Sequence, residues 1–403
     1  MSVLKHTVSR RGLLRTASTA ALSVAVLEAL AALGCTVPPQ PAAPAGATSP
    51  PAAATSEGAA KAPAAATAVQ ATSPAAAASP AAQTRGLTVA VIAQQMAAQS
   101  NQRTVQGFQD YLKAKGFSWN ATITDAKGDP GTLSNMVADA VSRKVDAIVV
   151  LFGTLTAAQG ALKTVADSKI PFFSVDSGWF PPAICDIASN NYLMGAQMSE
   201  YMVQRLLSQG KTAANVCAII ANFHHGTRKR GKVMEQVLSE NQWIKLLDQR
   251  VIQYEGFYET TLNTVNDWLT RFGDTIDAIW TPWDEPATAA ATAIVNSGRD
   301  VNKIFVVGAD GHPPAVEQMR DPKWPFVATP AQSFELWGAL AAYFIEQIVG
   351  NGRPAQEVVP VPIIDLPTPL IVKGFNMPPQ GKMPWEATDF YYVFEQQARG
   401  AVG

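Results

Sequence analysis

The sequence is poor in cysteine and has no surplus of charge of either sign. Its 403 residues include 3 cysteines and carry a formal net charge of −1. Three cysteines do not make a disulfide framework, and balanced charge gives no indication of nucleic acid as a partner. Common enzyme motifs are missing too: no Gly-x-Gly-x-x-Gly follows the first strand, and there is no P-loop, Gly-x-Ser-x-Gly elbow or metal-spaced His/Glu cluster. We therefore expect neither an enzyme nor a bound cofactor or metal.

Residues 1–35 have the features of an export signal. Residues 9–14 (SRRGLL) resemble a twin-arginine signal, and the alanine-rich segment after them is too short for a membrane span. That segment ends in ALGC, which resembles a bacterial lipoprotein cleavage box with Cys35 as the lipidated residue. We expect an exported protein, in the periplasm or anchored by Cys35 to the outer face of the cytoplasmic membrane. The alternative for Cys35 is an unmodified thiol or part of a discarded peptide.

Residues 36–85 consist almost entirely of Ala, Pro, Thr, Ser and Gly. Such a segment buries too little apolar surface to offset its ordering entropy, which predicts a disordered tether with a reach of about 40 Å.

From residue 87 onward, short apolar runs alternate with one-faced helical patterns, which predicts parallel sheets flanked by helices. An internal echo indicates two similar lobes, because VDAIVV at residue 145 recurs as IDAIWT at residue 276. In each copy a second strand follows about 30 residues later, the length of one βαβ unit, and ends on an acid, Asp176 or Asp310. Ligands bind beyond the carboxyl ends of such strands, so both acids are candidate ligand contacts.

The predicted boundaries give two lobes joined by a hinge of three segments. The first lobe comprises residues 86–189 and 333–360, and the second comprises residues 190–332 and 361–375. Residues 376–403 form a tail for which the pattern offers no function.

Several stretches in this order resemble the type I periplasmic substrate-binding proteins, in particular the ribose-binding-like branch that serves sugar ABC transporters. They are TVQGFQDYLKAKG, VDAIVV, IPFFSVDSG, IASNNYLMGAQM, GTRKRGKVMEQVL, PWDEPATAAATAI, VVGADG and ATPAQSFELWG. The resemblance implies a monomer that closes its lobes on a small sugar or polyol and delivers it to a permease and its ATPase. A sensor that presents the closed form to a membrane receptor is the alternative. An exported enzyme or a DNA-binding regulator of the same fold is disfavoured.

The resemblance also implies a set of ligand-binding residues at strand ends. Polar and aromatic contacts are implied at Gln94, Gln95, Asn101, Arg103, Asp176, Trp179, Arg228, Phe257, Trp283, Asp284, Asp310 and Gln332. Carboxylates and guanidinium groups form charge-assisted hydrogen bonds to adjacent hydroxyls, and flat rings cover the C–H faces of a sugar. The aromatic pair usual near the first strand is missing, and Trp179 and Trp283 are candidates to replace it.

Each of these candidates has a structural alternative. Asp176 and Asp310 would also suit helix N-caps, and Arg228 would suit an exposed basic face. Trp179, Trp283 and Phe257 would suit core packing. The pair His224-His225 is expected in a surface loop rather than at a metal. Cys185 and Cys217 are either buried free thiols or a disulfide.

Overall fold

The computed structural model describes residues 86–382. The expected export signal, the expected lipidation site Cys35, the expected tether and most of the expected tail lie outside these residues. Within this range, no helix has both the length and the apolar character to cross a bilayer.

Two sheets, each with helices on both faces, form two lobes. The first lobe opens with strands and helices in the order β1 (Thr88–Ala93), α1 (Gln99–Lys115), β2 (Asn120–Asp125), α2 (Pro130–Ser142), β3 (Ala147–Leu151), α3 (Gln159–Ser168), β4 (Phe172–Val175) and β5 (Asp186–Ser189). The second lobe repeats this alternation as α4 (Asn191–Ser208), β6 (Ala214–Ala221), α5 (His225–Glu240), β7 (Ile244–Ile252), α6 (Phe257–Phe272), β8 (Ala278–Trp280), α7 (Asp284–Asn296), β9 (Phe305–Val307), α8 (Pro313–Arg320) and β10 (Phe326–Pro330). The chain continues with α9 (Phe334–Ile345), α10 (Ala355–Val358), β11 (Ile363–Leu366) and β12 (Leu370–Val372).

The two sheets have the same strand order. It is β11-β5-β4-β3-β1-β2 in the first and β12-β10-β9-β8-β6-β7 in the second. Paired strands are parallel except β12, which runs antiparallel to β10. The predicted fold class of two similar α/β lobes is confirmed.

Strand β1 shows why its sequence is apolar at nearly every position. Val89 and Val91 pack into the core beneath α1 and α9, whereas Ala90 and Ile92 pack into the core beneath α2 and α3. A parallel strand covered on both faces has no solvent side, so the apolar run is continuous.

Asp146 and Asp277, the acids at the second position of the repeated VDAIVV and IDAIWT stretches, have the same structural role. Asp146 accepts the backbone N–H of Thr88 at the start of β1 (2.8 Å), and Asp277 accepts that of Asn215 in β6 (2.7 Å). Each carboxylate therefore ties the entrance of one strand to its neighbour.

The chain crosses between lobes after Ser189, after Pro330 and after Leu366. Strand β5 lies beside β4, so the loop at residues 177–185 stays within the first lobe. Strand β11 pairs with β5, so the third crossing comes later than the boundary expected after residue 360. The apolar pattern alone did not reveal which sheet this strand joins.

The two described cysteines are free thiols in different cores. Cys185 packs in the first lobe and Cys217 in the second, and both are fully buried. Burial raises the pKa of both thiols. A disulfide between them is excluded because each belongs to a separate core.

Candidate functional site

Asp176 and Asp310 end two equivalent strands, β4 and β9, at the edge where the lobes meet. Both residues have left-handed backbone, with φ of 42° and 114°, which aspartate tolerates better than most residues. Both are buried, at 2% and 6% exposure. Neither caps a helix, because their side chains bond to Asn191 and to Arg230 respectively. The N-cap alternative is therefore wrong for both.

A chain of hydrogen bonds joins the two acids, and we call it the polar bridge. Asn191, the first residue of α4, donates to Asp176 (3.3 Å) and accepts from Arg230 Nε (2.8 Å). Arg230 Nη1 donates to Asp310 (3.2 Å) and to the carbonyl of Pro282 (2.9 Å). Gln332, at the second crossing, donates to Asp310 (2.6 Å). The members of the polar bridge are Asp176, Asn191, Arg230, Asp310 and Gln332.

Two glycines allow the close approach that brings Asn191 against Arg230. A Cβ on Gly226 would lie 2.9 Å from the Asn191 side chain, and a Cβ on Gly195 would lie 2.9 Å from the Arg230 backbone. Without side chains at these positions, α4 and α5 pack closely enough for a direct bond.

The arginine of the site is Arg230 rather than Arg228. Arg228 is exposed and donates only to the carbonyl of Asn222 at 3.3 Å. The buried face of α5 runs through Thr227, Arg230 and Met234, so Arg230 shares the phase of the core residues. The expectation for Arg228 is corrected on this ground.

His224 and His225 lie between the lobes and not in a surface loop. Both Nε2 atoms approach the carbonyl oxygen of Asp176, at 2.7 and 3.1 Å. The Nδ1 of His224 accepts the N–H of Gly226, so its Nε2 carries the proton that the carbonyl accepts. Burial lowers the pKa of His224, which keeps this ring neutral. The pair thus links the second lobe to the strand-end acid of the first.

Arg103 makes another contact between lobes. Its guanidinium forms a two-bond pair with Glu335 (2.6 and 2.9 Å) and donates to His312 Nδ1 (3.0 Å). The ring of Phe334 lies beneath both groups, 4.9 Å from the guanidinium and stacked on His312 at 5.3 Å. Since Arg103 belongs to α1 and His312 follows β9, the contact spans the cleft.

Four aromatic rings form an aromatic wall at the cleft edge of the second sheet. They come from the loops after β6, β7 and β8 and from the start of α6. Trp283 meets Phe257 at 5.2 Å and Phe223 at 6.0 Å, both edge to face, and Phe223 meets Tyr254 at 5.3 Å. Sequence reasoning chose Trp283 and Phe257 but missed Phe223 and Tyr254, which lie just beyond β6 and β7.

The remaining candidates form no hydrogen bond with the polar bridge in the described structure. Asp284 is buried with both oxygens occupied, by the N–H of His312 (2.8 Å) and the hydroxyl of Thr329 (2.7 Å). Trp179 is 38% exposed and its indole donates to the Ala183 carbonyl. The other candidates lie in the first lobe, in the loop after β1 and in α1. Gln94 accepts a hydrogen bond from the backbone N–H of Thr154. Gln95 and Asn101 have buried side-chain oxygens that receive no hydrogen bond from the described residues.

Two lobes with equivalent sheets, a polar bridge between strand ends and an aromatic wall define a two-lobed binding protein. The chain belongs to the periplasmic binding protein domain family, whose model matches residues 89–353. It is 25% identical over 258 residues to the ribose import binding protein of Bacillus subtilis, covering 64% of this chain and 80% of that protein. It is also 25% identical over 210 residues to the xylitol-binding protein of Mycolicibacterium smegmatis, covering 51% and 57%.

Among solved structures, the chain is similar to an ABC sugar transporter subunit from Rhodobacter sphaeroides. The TM-score is 0.63 with 25% identity, over 72% of this chain and 98% of that one. The family resemblance expected from the sequence is confirmed.

Proposed function

We propose that this protein is the extracytoplasmic substrate-binding component of an ABC importer and captures a small sugar or polyol between its lobes. The observation that carries the proposal is the polar bridge, which places two buried acids, a guanidinium and two amides within one cleft. These groups suit adjacent hydroxyls, and the aromatic wall suits C–H faces. The family, with relatives named for ribose and xylitol, supports the same function.

The bridge also explains how ligand binding is coupled to closure. Asp176 belongs to the first lobe, Arg230 and Asp310 to the second, and Asn191 and Gln332 to two crossings. A ligand that bonds to several of them interacts best with the closed form and shifts the population toward it. Binding needs no chemical step.

A thermal-shift screen tests this function. We expect at least one of D-ribose, xylitol and myo-inositol to stabilise the protein, by about 2.7 kcal/mol at a hundredfold excess over its Kd. Asp310→Asn should abolish the shift, because it removes the negative charge that pairs with Arg230 and replaces Oδ2 with an NH2 group that cannot accept from a ligand hydroxyl. Asp274→Asn, at an exposed position of the same lobe, should keep it. Stabilisation by amino acids alone, with none by polyols, would contradict the proposal.

We also propose that the protein is a monomer anchored by a lipid on Cys35, with the permease and its ATPase as partners. Genes for a permease and an ATPase beside this one would support import, whereas a neighbouring sensor-kinase gene would favour the signalling alternative. Cys35→Ser is expected to move the protein from the detergent phase to the aqueous phase in Triton X-114 partitioning. Cys217→Ser, which changes a core cysteine, should leave it in the detergent phase. If the wild-type protein is aqueous, the anchor is refuted.

A further inference from the structure

One corner of the cleft brings the carboxyl group of Glu285 close to Asp310 of the polar bridge. Glu285 in the first turn of α7, Asp310 and His312 each place one side-chain atom within 4.8 Å of the others. Gln332 lies against the same carboxylate through its bond to Asp310. We call Glu285, Asp310, His312 and Gln332 the acidic corner.

The hydrogen-bond roles at His312 are fixed by Arg103. A guanidinium can only donate, so His312 Nδ1 accepts and the ring proton sits on Nε2. That N–H lies 3.6 Å from Glu285 Oε2 and 3.6 Å from Asp310 Oδ2, beyond hydrogen-bond range of both. A metal ion would need a bare Nε2, so this tautomer disfavours a metal at the corner.

The corner therefore has more acceptors than donors. Gln332 is 1% exposed, its Nε2 already donates to Asp310, and its Oε1 has no hydrogen-bond donor among residues 86–382. Glu285 Oε2 is likewise buried without such a donor, although 21% of the side chain is exposed. When Glu285 is ionised, a buried amide oxygen and a buried carboxylate oxygen thus both lack a donor among the described residues, and a ligand could supply it.

The charges at the acidic corner also favour a donor that carries a positive charge. Asp284, Glu285 and Asp310 come together here, and the guanidinium of Arg230 donates to Asp310. Arg103 lies nearby but is engaged with Glu335 in a two-bond pair. Burial, and then the charge of Asp310, raises the pKa of Glu285 to about 8. Burial and the charge of Asp310 outweigh Arg103, which lowers the pKa of Glu285, so an added positive charge would favour the ionised carboxylate.

We propose that the ligand carries a protonated primary amine, as in an amino sugar or amino polyol, and that its ammonium group binds between Glu285, Asp310 and the amide oxygen of Gln332. An ammonium donates three hydrogen bonds and brings one positive charge, whereas a hydroxyl donates one and brings none. Two oxygens within 4.8 Å can both accept from one nitrogen, because each bond is about 2.9 Å long. Burial, and then the charge of Glu285, raises the pKa of Tyr254, so this ring of the aromatic wall lies near the acidic corner, and ring faces attract cations. This inference rests on the proposed function.

Proton linkage gives the binding a pH dependence. The groups that face Glu285 are Asp310, Asp284 and His312 in the second lobe, Tyr254 after β7, and Arg103 from α1. Below a pKa of about 8 the Glu285 carboxyl is mostly protonated, and a bound ammonium favours its ionised form. For an amine that stays protonated up to pH 8, such as D-glucamine, binding at neutral pH should therefore release a proton, and the affinity should rise as the pH increases toward 8.

Calorimetry with matched pairs tests the inference: D-glucosamine against D-glucose, D-glucamine against D-sorbitol, and scyllo-inosamine against scyllo-inositol. In at least one pair we expect the amine to bind about tenfold tighter than the hydroxyl compound. Buffers of different ionisation enthalpy should reveal proton release for the amine alone. Glu285→Gln should remove the preference, and Glu200→Gln, on the exposed side of α4, should retain it.

The wild-type comparison alone is decisive if Glu285→Gln fails to fold. Hydroxyl compounds that bind as tightly as their amines in every pair would overturn the inference and leave sugar or polyol binding intact. Zinc chloride that binds in place of amines, and is blocked by Glu285→Gln, would also overturn it. No binding by any member of either arm, nor by D-ribose, xylitol or myo-inositol, would overturn both the inference and the proposed function.

Discussion

Replacing Arg230 with alanine is expected to weaken ligand binding by about 2 kcal/mol or more and to lower the free energy of unfolding by about 3–5 kcal/mol. Arg230 is 3% exposed and its guanidinium bonds to Asn191, to the Pro282 carbonyl and to Asp310. The truncation leaves the buried carboxylate of Asp310 without its cation and breaks the polar bridge at its centre. Calorimetry and urea denaturation measure the two losses.

The matched control is Arg228→Ala, two residues earlier on the same helix. Arg228 is exposed and its only bond in the described structure is to one backbone carbonyl, so its removal should change stability and affinity by less than about 0.5 kcal/mol. Arg230→Lys separates charge from geometry, since an ammonium keeps the charge but cannot span three acceptors in a fixed fork. Equal losses in the Arg228 and Arg230 variants would refute the central place of Arg230.

The fold could be predicted from the local sequence because two patterns agree. Continuous apolar runs indicate the strands, and a single apolar face indicates each helix between them. Runs such as Phe172–Val175 are apolar at every position, as a strand covered on both faces requires, and the helices between them carry one apolar face. The echo of VDAIVV and IDAIWT also had a cause in the structure, because both acids tie a strand to its neighbour. By contrast, the pattern of β11 gives no information on which sheet it joins.

The site was harder to predict because it depends on how two separate lobes meet. Strand-end position was enough to select Asp176 and Asp310. It was not enough for His224 and His225, whose partner is a carbonyl in the other lobe. The choice between Arg228 and Arg230 was a matter of helical phase, which the spacing from Thr227 to Met234 would have shown. Asp284 was chosen by resemblance, yet its oxygens are occupied by neighbouring groups.

Replacing Gly107 with alanine is expected to destabilise the protein by about 3 kcal/mol, at the upper end for overpacking. Helices α1 and α9 touch backbone to backbone, and a Cβ on Gly107 would lie 1.8 Å from the carbonyl oxygen of Glu335. Gly338 on α9 is equally constrained, since its Cβ would lie 1.8 Å from the carbonyl oxygen of Thr104. The clash is with backbone, so no side-chain rotation relieves it and the helices must separate.

That separation should also reach the site, because Arg103 lies one turn from Gly107 and pairs with Glu335 on the other helix. We therefore expect Gly107→Ala to lose ligand affinity together with stability, measured by calorimetry and by the midpoint of urea unfolding. Gly160→Ala is the control: it lies in α3 with nothing within 4 Å of its added Cβ, and it should be neutral or stabilising by up to about 1 kcal/mol. If the two variants unfold at the same midpoint, the added Cβ does not push α1 and α9 apart. The close approach of these helices would then not be what holds Arg103 against Glu335 and His312.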